Sequence, residues 1–129
     1  MKRIGIINSL LARELAAMRH TDLFVISDGG FPAGPRDRVI DLAVTPGLPR
    51  FEPVLAAVLA EVEIEESWIA AETAAANPER EAGLAAALGE AHRVPHEELK
   101  RLAERARFVV RTGENTPYSN VLLRAGYPF

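Results

Sequence analysis

Cysteine is absent from this 129-residue chain, and with it three kinds of chemistry. Disulfide frameworks, thiolate nucleophiles and cysteine-ligated zinc all require the thiol. A surplus of positive charge is missing too: 15 Lys+Arg stand against 18 Asp+Glu, a net of −3, and no basic stripe runs along the chain. Nucleic-acid backbones demand clustered cations, so no nucleic-acid partner is expected. No stretch approaches the roughly 18 apolar residues of a membrane span, so no membrane partner is expected either. The opening Met1-Lys2-Arg3-Ile4-Gly5-Ile6-Ile7-Asn8 carries the two basic residues of a secretion signal, but its apolar run stops at Asn8. That is too short for the apolar region of such a signal, and a cytoplasmic protein is expected. Neither a dinucleotide GxGxxG nor a P-loop is present, and no nucleophile elbow or HExxH occurs.

The chain is 48% hydrophobic and 26% charged, an ordinary globular composition. Its length suits one domain over 1–129 with a real core. Arg3 to Ile7 reads as a short strand ending at the helix-capping pair Asn8-Ser9. Leu11, Leu15 and Met18 then recur at helical spacing, predicting a helix that ends near His20. Leu23-Phe24-Val25-Ile26 is an unbroken apolar run, the mark of a strand covered on both faces.

The segment 29–37 holds three glycines and two prolines and predicts a shaped loop. A strand over 39–44, a helix over 51–62 and a strand over 67–71 follow. Asn77-Pro78 is a cap followed by a first-turn proline, predicting a helix to about Ala91. A helix over 97–105 and strands at 108–110 and 121–123 complete the chain, the last two flanking a polar loop over 112–120. Strands alternate with helices, so the expected fold is α/β, with helices on both faces of a mostly parallel or mixed central sheet. Ligands in such sheets gather where loops converge at strand ends.

Histidine is scarce, at three residues: His20, His92 and His96. His92 and His96 are four apart, but Pro95 would break a helix carrying both, so no metal site is expected there. His20 admits two readings: a histidine favoured by the dipole at a helix C-terminus, or a proton carrier beside a strand. Asp28 stands where the apolar run meets Gly29-Gly30. It either caps a turn or serves as an active-site group approached closely over the glycines. The polar loop with Tyr118 and Asn120 offers hydroxyl and amide groups, which are either partners for sugar hydroxyls or ordinary loop residues. A Ser-His-Asp triad drawn through Ser27 or Ser119 has no supporting motif.

Taken together, seven blocks in order resemble the D-ribose pyranase family along nearly the whole chain. They are Ile7-Asn8-Ser9, His20-Thr21-Asp22, Asp28-Gly29-Gly30-Phe31-Pro32, Ile40-Asp41-Leu42, Pro46-Gly47-Leu48-Pro49, His96-Glu97-Glu98-Leu99-Lys100 and Arg111 through Asn120. The resemblance implies an isomerase that interconverts pyranose and furanose forms of D-ribose without a cofactor or metal. It implies a homo-oligomeric ring, pentameric or decameric, with sites near subunit interfaces. It makes His20 the general acid and places Asp28, His96, Tyr118, Ser119 and Asn120 on the sugar, with Asp28 also able to orient His20. Departures from the family pattern are Arg19 for glycine, Gly29 for alanine, Gly34 for proline and Ser119 for alanine. The alternatives are a fucose-type mutarotase acting on anomers of another monosaccharide and a non-enzymatic sugar-binding partner of a ribose transporter.

Overall fold

Each apolar run places alternate side chains on opposite faces of a strand, and here both faces are covered. The computed structural model describes all 129 residues. Its elements begin with α1 (Ser9–Ala17), β1 (Leu23–Ser27), β2 (Val39–Asp41), α2 (Phe51–Leu59) and β3 (Ile64–Ala70). They continue with α3 (Thr73–Ala76), α4 (Pro78–Leu88), β4 (His92–Val94), α5 (His96–Ala103), β5 (Phe108–Arg111) and β6 (Val121–Ala125). The strands form one mixed sheet in the order β2-β5-β1-β6-β3-β4. Strands β2, β5 and β1 run parallel, β6 is antiparallel to β1 and β3, and β4 is parallel to β3.

On one face Phe24, Ile26, Phe108, Val110, Val121 and Leu123 meet Leu11 and Leu15 of α1, Phe51 to Val58 of α2 and Leu84 of α4. On the other, Val25, Val109 and Leu122 meet Leu99 and Ala103 of α5. Phe24 and Phe108 are register partners on β1 and β5, with stacked rings 5.3 Å apart. Such a pair adds about 0.5–1.5 kcal/mol beyond its buried area. No helix is long and apolar enough to cross a membrane.

Caps end the helices where the sequence places them. Asn8 accepts the Leu11 N–H at the start of α1, and Asn77 accepts the Arg80 N–H ahead of Pro78 at the start of α4. Helix α4 stops at Leu88, short of the expected Ala91, because Gly89 turns the backbone left-handed at φ 69°.

Three expectations need correction. Residues 3–7 form no strand. Gly5 sits at φ 75° and the Ile6 N–H goes to the Glu61 carboxylate, so no ladder is available. The strand expected over 39–44 ends at Asp41, whose carboxylate accepts the Ala43 N–H and turns the chain away. The short β4 and α3 were not anticipated: only Val94 of β4 is even half-buried, which leaves little apolar pattern to read.

Candidate active site

Strand direction sorts the candidate residues between two ends of the sheet. Strands β1, β3, β4 and β5 share one direction, so Asp28, Thr73, His96 and the loop 112–120 all follow their C-terminal ends. Asn120 joins them, because it immediately precedes the antiparallel β6. His20 precedes β1 and therefore lies at the opposite end, beside the start of β3 and the tail after β6.

At the first end Asp28, Gly30, Phe31, Pro32, His96, Tyr118 and Asn120 line one cavity of about 210 Å³. That is below the roughly 300–1,000 Å³ of drug-sized ligand sites, the scale of a single sugar ring. Asp28 and Asn120 are locked reciprocally. The Asp28 N–H donates to Asn120 Oδ1 at 2.9 Å, and Asn120 Nδ2 donates to Asp28 Oδ2 at 3.0 Å. Asp28 Oδ1 accepts the Gly30 N–H at 2.9 Å, so the turn-cap and active-site readings of Asp28 hold together. His96 packs edge-on to Tyr118 and Phe31, with ring centroids 5.2 and 6.1 Å away. Its Nδ1 is buried without a partner, which leaves Nε2 as the nitrogen available to a ligand.

Tyr118 has φ 55°, a left-handed conformation that is an outlier for a bulky residue. Such strain costs about 1–3 kcal/mol and persists only where the surroundings impose it. Here Asn77 Nδ2 donates to the Pro117 carbonyl at 2.9 Å and to Thr116 Oγ1 at 3.2 Å. Beneath the loop, the buried Ser119 Oγ accepts from Arg80 Nε at 2.9 Å and shares a hydrogen bond with Thr116. The Ser119 hydroxyl is therefore held beneath the loop, and the residue does not line the cavity.

The buried Glu114 completes this anchor. It accepts from Arg80 Nη2 at 3.1 Å, from Thr116 Oγ1 at 3.0 Å and from the Phe51 N–H at 3.0 Å. Arg50, the residue before α2, has no capping side chain, so the Glu114 carboxylate satisfies that helix N-terminus from another part of the chain. Burial works to raise its pKa, but the Phe51 N–H, the Thr116 hydroxyl and the Arg80 guanidinium outweigh it and hold the carboxyl below the ordinary glutamate range. Sequence reasoning missed Arg80 and Glu114, since a charged pair 34 residues apart leaves no local pattern.

His20 is exposed and lines a separate cleft of about 530 Å³ with Leu15, Met18, Tyr127 and Phe129 among others. Its Nε2 pairs with Glu65 Oε2 at 2.8 Å, and the Tyr127 ring lies 5.6 Å from its own. Asp28 does not touch it, and the carboxylate within hydrogen-bond reach in the same chain is Glu65. Thr21, next to His20, is the other non-glycine residue at positive φ, 74°, and its N–H donates to the Ala125 carbonyl. Arg19 folds back to donate to the Ala17 and Met18 carbonyls at the end of α1.

His92 lies on β4, pairs with Glu66 and stacks on Trp68, whereas His96 opens α5. The two therefore do not share a helix. A larger cleft of about 560 Å³ beside α5 is lined by Arg38, Lys100 and Arg101. Its cations are committed: Lys100 to Glu97, Arg101 to Glu98, and Arg38 to the carbonyls at the end of α5. The convergence of Asp28, His96, Tyr118 and Asn120 on one cavity, not volume, singles out the smaller one.

Comparison with known proteins shows the family and the fold. The chain is 52% identical over 129 residues to a D-ribose pyranase 1 of Rubrobacter xylanophilus, covering all of both chains. It is 47% identical over 131 residues to a D-ribose pyranase of Symbiobacterium thermophilum, again end to end. Its fold superposes on Bacillus subtilis RbsD, solved in complex with D-ribose, with a TM-score of 0.94 at 43% identity and complete coverage of both. The fucose mutarotase of Streptococcus pneumoniae shares the fold at a TM-score of 0.79 and 18% identity, over the full length of both chains. The model of the RbsD / FucU transport protein family matches residues 1–128, and the chain belongs to that family.

Proposed function

We infer that this chain interconverts the pyranose and furanose forms of D-ribose. The observation that carries the reading is the single-sugar cavity at Asp28, His96, Tyr118 and Asn120, in a chain related end to end to D-ribose pyranases. Changing ring size requires the C1–O5 bond of the hemiacetal to break, with a proton delivered to O5 and one removed from the anomeric hydroxyl. The open aldehyde then recloses when the C4 hydroxyl adds to C1, losing its proton as the carbonyl oxygen gains one. Imidazole titrates near pH 6.5, so histidine can donate and retrieve these protons at neutrality. Acid–base assistance of this kind contributes about 10²- to 10⁴-fold.

The proposed roles are these. His20 carries the proton, Asp28 and Asn120 hold sugar hydroxyls as one locked pair, and His96 and Tyr118 form the opposite wall. His20 and Asp28 flank a five-residue strand, about 16 Å long at roughly 3.3 Å per residue. One monosaccharide cannot span that distance. A site using both must be built from two copies, with His20 of one reaching the sugar cradle of its neighbour, which is why the functional unit is a homo-oligomer. The surface around His20 suits such an interface. Tyr127 and Phe129 beside it are exposed, Phe129 at 90%. Apolar patches of this kind mark docking surfaces.

Saturation-transfer NMR on equilibrated D-ribose tests the reading. The full chain is expected to raise the exchange rate between ring forms, and His20→Ala to remove the increase without unfolding the protein. Broadened sugar signals with no rise in exchange would identify a binder and contradict the reading.

A further inference from the structure

We propose that Glu65 is the positioning residue for His20, fixing the proton on Nε2 and leaving Nδ1 as the nitrogen that exchanges protons with the sugar. The inference rests on His20 being the proton carrier.

Geometry supports it from three sides. Glu65 Oε2 lies 2.8 Å from His20 Nε2, a charge-assisted contact. Glu65 Oε1 forms an ion pair with Arg124 at 2.7 Å, and Arg124 is itself held by Glu66 at 2.6 Å. The carboxylate is therefore oriented from behind, with one oxygen on each partner. The hydrogen bond from His20 is the largest influence holding the Glu65 carboxyl below the ordinary glutamate range. Desolvation opposes it, and the charges of His20 and Arg124 add to it. Glu65 thus stays ionised at neutral pH and can only accept. A neutral imidazole facing it must present N–H from Nε2, which places the basic lone pair on Nδ1. The backbone reinforces this arrangement. Thr21 is held at φ 74° by its N–H bond to Ala125, one residue beyond Arg124 on β6. The turn carrying His20 and the strand carrying the second partner of Glu65 are thus joined.

The relation of carboxylate to imidazole is the one by which an acid–base histidine is kept in a single tautomer and its imidazolium stabilised. Arg124 is the register partner of Glu66 on the adjacent antiparallel strand, and Glu65 sits at the register irregularity between Ile64 and Glu66, within ion-pair reach of Arg124. His20 approaches from the turn before β1. Three separate segments thus converge on one proton.

The test uses the full chain with Glu65→Gln, which preserves shape but removes the charge and can donate as well as accept. With chemistry rate-limiting, kcat for D-ribose ring exchange should fall on the order of 10- to 100-fold, while KM stays within about twofold. Imidazole ¹⁵N shifts, measured above the histidine titration, should show the Nε2–H form for His20 in the parent and a mixture of tautomers in Glu65→Gln. With three histidines in the chain, that signal is assignable through His20→Ala. An unchanged kcat in Glu65→Gln, or identical tautomers in both proteins, overturns the positioning role. If His20→Ala retains full exchange, it is the assignment of His20 that fails; if His20→Ala is inactive while Glu65→Gln matches the parent, only the present inference falls.

Discussion

Ser119 and Asn120 are neighbours with opposite duties, and the difference is measurable. The Ser119 hydroxyl is spent on Arg80 and Thr116 beneath the loop, while Asn120 faces Asp28 and the cavity. Ser119→Ala should cost about 0.5–1.5 kcal/mol in denaturant titration, the net worth of a hydrogen bond, and leave KM for D-ribose unmoved. Asn120→Ala should raise KM or lower kcat even where stability is retained. Arg80→Met is the severe change, because it strands the buried Glu114 carboxylate. Breaking a buried pair on one side costs about 3–5 kcal/mol, to be read as a lowered urea midpoint. The polar residues of the cavity were legible in the sequence as residues, and Asp28, His96, Tyr118 and Asn120 do converge. What each side chain does was less legible. The family resemblance places Ser119 on the sugar, but the direction of its side chain is not legible in the sequence, because orientation along an irregular loop has no period to follow.

At the scale of elements, the loop 112–120 and helix α2 stabilise each other through one carboxylate. Glu114 is held below its ordinary pKa in the folded chain, so the folded state binds that proton less tightly than the unfolded state. Its contribution is therefore complete above the unfolded value of about 4.3 and is lost as pH falls through the lower folded value. Glu114→Gln should lower stability at neutral pH and flatten the acid limb, measured as urea midpoints from about pH 7 down to pH 3. An acid limb as steep as the parent's would remove Glu114 as its source.

Most elements were legible because their signals are local: the caps at Asn8 and Asn77, the apolar run of β1, and the heptad-like stripe of α1. The failures have a common cause. Residues 3–7 carry a strand's composition but find no partner strand, and β4 has a partner in β3 but almost no apolar composition. Pairing is a property of the sheet, and neither segment contains it.

At the scale of the whole molecule, one chain holds His20, the proposed proton carrier, at one end of its sheet and the cavity of Asp28, the proposed sugar cradle, at the other. The strand between them makes this unavoidable, because residues before and after β1 emerge at opposite ends of the sheet. The sequence shows both halves of the site but not their separation, since eight residues of chain look close until a strand extends them. On the proposed shared site, the exposed Tyr127 and Phe129 beside His20 are the contact surface for another copy. Co-expression of His20→Ala chains with Asp28→Asn chains examines this sharing of a site. Each variant alone should lack D-ribose ring exchange, while mixed oligomers should regain about one quarter of the parent activity, since half the copies supply His20 and half supply Asp28. Mixed oligomers that form but stay inactive, or an active protein that sediments as a single chain, would contradict it.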